Sequence, residues 1–293
     1  MTARTERRIA FATADDVGGI TDDDRTLVEP LAQLATVVPA CWHDPTIDWS
    51  RFDAVIVRST WGYHLQLERF LAWSEAVEKL DVALWNPAET LRWNSHKTYL
   101  RQLAADGHRV VPTVWLERAS KPSLGELLAE QGWSQAVLKP SVSASAYRTT
   151  RVSARTAASD QASLMELLAR GPALLQPYLE QIETSGEWSL LFFDGRFSHA
   201  VRKLPKAGDF RVQRELGGRT EAAEPPTDHI SRAEAVVRSI DPLPLYARID
   251  GVEVDGVFAL MEAELIEPEL FLRHDPQAPA RLAAAIGHRL ASR

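Results

Sequence analysis

Residues 260–268 read Leu260-Met-Glu-Ala-Glu-Leu-Ile-Glu-Pro268, an apolar run carrying two carboxylates at alternate positions. Strand side chains alternate between faces, so Glu262 and Glu264 share one side while Met261, Ala263 and Leu265 take the other. Two like charges on one strand face repel unless a cation stands between them. A solvated strand face would explain the pair structurally. A pair of oxygen ligands for Mg²⁺ would explain it chemically, because Mg²⁺ binds through a few carboxylates plus substrate phosphates. Upstream, Tyr246-Ala-Arg248-Ile-Asp250 is joined to this strand through Asp255-Gly256. A three-residue loop with Gly256 left-handed sets Arg248 opposite Glu262 and keeps Asp250 on the acidic face. A tight two-residue turn sends Asp250 to the opposite face. Both registers are open at this level.

Working outward, the last third of the chain is strand-rich: Ala173–Leu179, Trp188–Phe193, Phe197–Lys203, Leu245–Val254 and Val257–Leu265, with Asp194-Gly195 as a hairpin signal and a closing helix from Pro279 to Leu290. The middle of the chain predicts a helix over Asn94–Ala105, a strand over Val110–Leu116 and a helix over Leu124–Gln131. It continues with strands at Ala136–Lys139 and Thr149–Ser153 and a helix over Asp160–Leu168. The first 90 residues alternate strand and helix signals. Ile9–Ala14, Ala54–Val57 and Val82–Trp85 are short apolar runs, and Phe70, Trp73, Val77 and Leu80 recur at helical spacing. The expected fold class is α/β and α+β, with three lobes in series. A parallel βαβ lobe spans residues 1–90, and two lobes dominated by antiparallel sheet span 91–172 and 173–293.

Composition narrows the function classes. The 293 residues include 33 Lys plus Arg against 40 Asp plus Glu, a net charge of −7, which disfavours broad nucleic-acid binding. A lone Cys41 excludes an internal disulfide framework and cysteine-based zinc fingers. No apolar stretch has signal-peptide or membrane-spanning length, so the expectation is a cytoplasmic protein without membrane or nucleic-acid partners. The chain has no GxxxxGK[ST], no G-x-G-x-x-G after the first strand, no G-x-S-x-G and no H-E-x-x-H. Ala136–Lys139 imitates the strand lysine of protein kinases, but no HRD or DFG follows.

Positive charge is concentrated at two places. Lys139 ends an apolar strand and precedes Ser141-Val-Ser-Ala-Ser-Ala, whose short side chains let backbone N–H groups approach a phosphate. Arg202, Lys203, Lys206 and Arg211 follow another strand, with Gly208 and Gly217-Gly218 nearby. A basic loop in an acidic protein suits a developing anion, although solvated surface charge is the commoner origin of such clusters.

Taken in order, these pieces resemble the ATP-grasp superfamily over nearly the whole chain. Lys97 in RWNSHK and Lys139 in AVLKP look like the lysine pair that holds the ATP phosphates, and Gln176-Pro177-Tyr178-Leu179 resembles the hinge that contacts adenine. Residues 186–218 (GEWSLLFFDGRFSHAVRKLPKAGDFRVQRELGG) are similar to the corresponding stretch of bacterial glutathione synthetase. That resemblance implies ribose binding by Glu187 and a catalytic Arg211 facing the reacting phosphate, with Lys203 assisting from the adjoining strand. It also implies ATP contact at Ser143 and metal ligation by Asp250, Glu262 and Glu264. RSTWGYH (Arg58–His64), RWNSHK, KPSVSAS and GDFRVQ look most like the branch containing cycloserine synthetase. Glu264 stands where glutathione synthetase has Asn. The loop after Lys139 has no glycine from Ser141 to Thr150, where many relatives are glycine-rich.

The resemblance implies an N-terminal substrate lobe, a central lid and a C-terminal metal-binding lobe, the last two sandwiching ATP. The implied reaction is carboxylate–amine ligation through an acylphosphate, with ATP and one or two Mg²⁺ ions as cofactors and Mn²⁺ able to substitute. Arg58, Ser59, Thr60 and Tyr63 follow a strand of the first lobe, where ligands of parallel sheets bind, and are expected to contact a small amino-acid-like substrate. Ring closure and intermolecular ligation of an amino acid or peptide are both compatible with these residues. A non-catalytic nucleotide-binding regulator is the third reading, opposed by the intact acidic trio and lysine pair. Relatives often form dimers or tetramers, which leaves a homodimer or homotetramer open.

Overall fold

A computed structural model describes residues 7–144, 146–206, 211–212 and 217–293, the Asp16 side chain excepted. The first sheet comprises β1 (Arg8–Thr13), β2 (Thr36–Cys41), β3 (Ala54–Ser59) and β4 (Ala83–Trp85), all parallel in the order β2-β1-β3-β4. Its alternation is strict. Ile9, Phe11 and Ile56 enter one core, and Ala10, Ala12, Val55 and Val57 enter a second core on the opposite face. The expectation of a parallel first sheet therefore holds, and both of its faces are covered. The strand β2 carries no clear signal because Pro39 interrupts it. It lies at the sheet edge, where a residue without an N–H is tolerated.

The second sheet is antiparallel, in the order β5-β8-β6-β7: β5 (Val114–Leu116), β6 (Gln135–Pro140), β7 (Thr150–Ser153) and β8 (Ala173–Pro177). Helices Leu124–Gln131 and Ala157–Arg170 pack on one face, where Leu124, Leu128, Leu164 and Leu168 meet Ala136, Leu138 and Leu175. Val137 and Lys139, one residue out of phase, must take the other face. The expected strand Val110–Leu116 is divided. Pro112 cannot donate to a ladder, so Val110 bridges to Leu260 and only Val114–Leu116 joins this sheet.

The third sheet, also antiparallel, runs β11-β10-β9-β12-β13: β9 (Glu187–Phe193), β10 (Arg196–Leu204), β11 (Arg219–Ala222), β12 (Tyr246–Val254) and β13 (Val257–Glu264). Helix Thr227–Arg238, unforeseen from sequence, covers one face with Ala233, Val236 and Val237. The closing helix spans Ala278–Ala291 and buries Leu282, Ala283, Ile286 and Leu290 in the core shared with the first sheet. Asn86 ties the two sheets together, donating to the Leu265 carbonyl at 2.8 Å and accepting from Leu245 N at 2.7 Å. Among the described residues, no helix is long and apolar enough to cross a membrane.

The β12–β13 register resolves the hairpin question in an unforeseen way. Val254 pairs with Val257, so the turn is the tight two-residue form, with Asp255 and Gly256 both at positive φ (55° and 74°). That turn alone would turn Asp250 away from the carboxylates. A bulge between Asp250 and Gly251, where Leu260 and Glu262 are the successive partners, inserts Met261 as an extra residue. Asp250 is thereby returned to a position opposite Glu262, and Arg248 opposite Glu264.

Candidate active site

The open faces of the second and third sheets and the carboxyl ends of the first enclose a cavity of about 710 Å³. The expected helix over Asn94–Ala105 begins only at Tyr99, and an unforeseen helix, Ala88–Asn94, precedes it. The break carries Lys97, whose backbone N donates to Ser141 O at 2.8 Å, and its ammonium donates to Ser143 O at 3.2 Å and pairs with Glu262. Lys139 lines the same cavity and, among the described residues, has no salt-bridge partner. Burial pushes its ammonium down to about 8; Lys97 adds to the effect and Glu262 opposes it.

Beyond the lysines, Leu179, Ile182, Val212, Val252 and Met261 form a small apolar cluster, and four of them line the cavity beside Pro177 and Tyr178. This is a surface suited to a flat aromatic ring. Gln176 is buried with its amide donating to Thr113 Oγ1 at 2.9 Å, and the Arg151 guanidinium sits 3.7 Å from the Tyr178 ring centroid. Glu187 opens β9 opposite Lys203, and the two side chains form an ion pair.

The acidic residues do not form a bare cluster, because cations are threaded between them. Asp250 accepts from Ser189 Oγ at 2.6 Å, from Lys203 Nζ at 2.9 Å and from Arg248 Nε at 3.0 Å. Burial alone would raise the Asp250 carboxyl, but Arg248 and Lys203 overcome it and hold it at about 2. Arg248 also reaches Glu264, which burial nevertheless pushes up to about 7. For Glu262, Lys97 and Lys139 outweigh burial and lower the carboxyl below its ordinary range. Asp250, Glu262 and Glu264 thus share a face without converging. The Glu262 and Glu264 side chains each keep 28% exposure, whereas Asp250 keeps 4%. Their all-oxygen chemistry fits a hard cation such as Mg²⁺ at Glu262 and Glu264, with Asp250 sealed behind Ser189, Lys203 and Arg248.

At the first-lobe end, Arg58, Ser59 and Tyr63 line the cavity, as does the half-exposed Trp61; Thr60 is buried just outside it. Arg58 is less available than its strand-end position suggests. Its Nε donates to Asp24 Oδ1 at 2.8 Å, one terminal nitrogen donates to Pro268 O at 3.0 Å, and the guanidinium lies over the Tyr246 ring. Its remaining nitrogen and the hydroxyls of Ser59 and Thr60 are buried without hydrogen-bond partners among the described residues. Arg211 reaches the cavity wall, half-buried.

Sequence reasoning overlooked Asp23, Asp24 and Glu267, and left Arg248 without a role. Asp23 accepts from the backbone N of Leu272 and Arg273, each at 3.2 Å, and so secures the segment behind the cavity. The run Asp22-Asp23-Asp24 behind Thr21, which caps the helix Asp22–Arg25, was the available signal. Glu267 lies within the diagnostic stretch itself. Burial, with Glu264 adding to it, pushes its carboxyl up to about 8, which favours the uncharged acid at this cavity wall.

The chain is similar to known proteins along nearly its whole length. The model for the N-terminal domain of D-cycloserine synthetase DcsG matches residues 9–86. Cycloserine biosynthesis protein DcsG of Streptomyces lavendulae is 32% identical over 281 residues, covering 90% of this chain and 92% of that protein. The crystal structure of D-cycloserine synthetase DcsG superposes with a TM-score of 0.86 at 31% identity, covering 97% of this chain and 99% of that one. The D-alanine–D-alanine ligase of Bacillus anthracis, solved in complex with ATP, has the same fold, with a TM-score of 0.67 at 15% identity over 98% of both chains.

Proposed function

The chain belongs to the cycloserine synthetase family of ATP-grasp ligases, and on that premise we propose that this ATP-dependent enzyme activates the carboxylate of a small amino-acid-like substrate as an acylphosphate and closes it onto a nitrogen of the same molecule. The observation that carries this reading is the meeting of Lys97, Lys139 and Glu262 in one cavity, contributed by three separate segments. Lys97 and Lys139 hold the phosphates of ATP, whose adenine rests against the apolar cluster at Leu179 and Met261 and whose ribose meets Glu187. Glu262 and Glu264 would hold Mg²⁺, while Asp250 fixes Arg248 and Lys203 from behind. The metal would neutralise charge on the transferring phosphoryl group, a reaction in which positioning and electrostatics supply most of the catalysis.

Arg211 and Lys203 stabilise the acylphosphate and the tetrahedral intermediate that follows. The substrate occupies the end walled by Ser59, Trp61, Tyr63 and Glu267, where the unpartnered Arg58 nitrogen and Ser59 hydroxyl supply hydrogen-bond donors. In this arrangement residues 1–90 act as the substrate lobe, 91–172 as the lid and 173–293 as the metal-binding lobe. The non-catalytic alternative is disfavoured by a family of ligases and by a complete set of charged residues around the cavity. The test is ADP release with small amino-acid-derived carboxylates, followed by the mass of the product. A product mass equal to that of one substrate less water supports ring closure. A product mass equal to the sum of two substrates less water would move the reading to intermolecular ligation, and absence of ADP release with every carboxylate would sink it.

A further inference from the structure

Outside the cavity, at the carboxyl edge of the first sheet, three donors of different chemistry stand together. Cys41 closes β2 opposite Thr13 of β1; Asp15 follows β1 by two residues, and His43 follows β2 by two. His43 Nε2 lies 2.6 Å from Asp15 Oδ2, and Cys41 Sγ lies 3.6 Å from His43 Nδ1. One ligand atom from each residue lies within 4.8 Å of the other two, the only such group of His, Cys, Asp or Glu among the described residues. None of the three lines the cavity.

The backbone that carries them is fixed by other contacts. Trp42 N donates to Thr13 O at 3.0 Å and Ala14 N to Ser59 O at 2.9 Å, so both loops leave the sheet from paired strands. The carbonyl of His43 accepts from Arg69 at 2.8 Å, and its ring stands edge-on to Trp42 with centroids 4.9 Å apart. The backbone that carries the donors is therefore placed by the sheet ladder and by Arg69. The Asp15 side chain is 71% exposed and that of His43 22%, which leaves a path from solvent.

We infer that Asp15, Cys41 and His43 form a binding site for a thiophilic divalent cation of the zinc class, with one coordination position left to water. Thiolate, imidazole and carboxylate are the donors zinc takes, whereas magnesium takes oxygen alone, so this is chemically distinct from a second magnesium site. In the cation-free protein the three groups share protons; the cation replaces them, and the thiol proton leaves to solvent on binding. The consequence is a tether: the segment that leads from β1 to Asp23 and Asp24, and hence to Arg58, is clamped to the end of β2.

The test uses the full-length protein without nucleotide, titrated with Co²⁺ as a spectroscopic probe and then with Zn²⁺. The expected result is a near-ultraviolet thiolate-to-cobalt band that saturates at one ion per chain and is displaced by Zn²⁺. Zn²⁺ should also raise the melting temperature of the wild type. Cys41→Ser should lose the band and His43→Ala should bind Zn²⁺ at least about tenfold more weakly, both melting as the wild type does without metal. Should Cys41→Ser fail to fold, Asp15→Asn serves in its place, with the same weakening expected. Glu262→Ala should keep the band. A wild type without the band overturns the inference, and so does Zn²⁺ stabilisation that persists undiminished in the His43 and Asp15 variants.

Discussion

Two strands of this molecule are near twins in sequence and opposite in chemistry. Ala54-Val-Ile-Val-Arg58, buried throughout, and Ala136-Val-Leu-Lys139, buried at alternate positions, each deliver a cation to the cavity. Arg58 arrives among partners: Asp24, the Pro268 carbonyl and the Tyr246 ring take up most of its guanidinium. Lys139 arrives without a salt bridge among the described residues, and burial pushes it down to about 8. A buried cation that is paired contributes to the architecture, because removing it strands its partner. A half-buried cation left unpaired costs stability and is kept ready for an anion supplied from outside. The same strand pattern therefore ends in a structural joint on one side of the cavity and in a ligand-binding charge on the other.

Substitution at the two strand ends should separate these roles. Lys139→Met is expected to lower kcat/KM for ATP on the order of 10³-fold, with folding stability unchanged or increased. Steady-state ADP release together with urea unfolding reads both quantities, and a destabilised but active variant would erase the contrast. Arg58→Met should act first on stability, costing about 3 kcal/mol by leaving the buried Asp24 without its cation, and should raise KM for the carboxylate substrate rather than for ATP. Combining Arg58→Met with Asp24→Asn should recover part of that loss. If each single variant is as stable as the wild type, the Arg58–Asp24 joint is not structural.

A smaller effect sharpens the lysine side. Lys139 sheds its proton near pH 8 when folded and near 10.5 when unfolded. Between those values the unfolded chain holds the extra proton, so this group makes stability rise with pH while ATP affinity falls as its charge is lost. From pH 8 to pH 9 the affinity should fall up to about tenfold relative to Lys139→Met, in which the pH step disappears. A parallel pH dependence in wild type and variant would show that another group titrates. Smallest, and at the hairpin that frames the metal face, is Gly251→Ala. An added Cβ would lie 2.3 Å from the Phe258 ring, so the variant should lose about 1–3 kcal/mol beside the bulge.

Much of this was legible in the chain. Alternation alone places Glu262 and Glu264 on one face and turns Lys139 away from the helices that pack on Leu138. What was hidden has physical reasons. The bulge at Met261 is a one-residue event in an unbroken apolar run, and it decides which face Asp250 takes. The break that delivers Lys97 lies inside an ordinary helical pattern and is set by contacts with Ser141 and Ser143, more than 40 residues away. Whether a strand-end cation is paired depends on Asp24 and Pro268, which no local window around Arg58 contains. The lysine pair, the acidic strand and the order of elements were enough to resemble the ATP-grasp ligases, and the comparisons support that family.

The most direct test is calorimetric titration of ATP into the wild type and Glu262→Ala, each with and without Mg²⁺. We predict micromolar binding by the wild type that strengthens with Mg²⁺, and binding by Glu262→Ala that no longer responds to the metal. A wild type that does not bind ATP, or a variant with undiminished Mg²⁺ dependence, would contradict the placement of the nucleotide and its metal in this cavity.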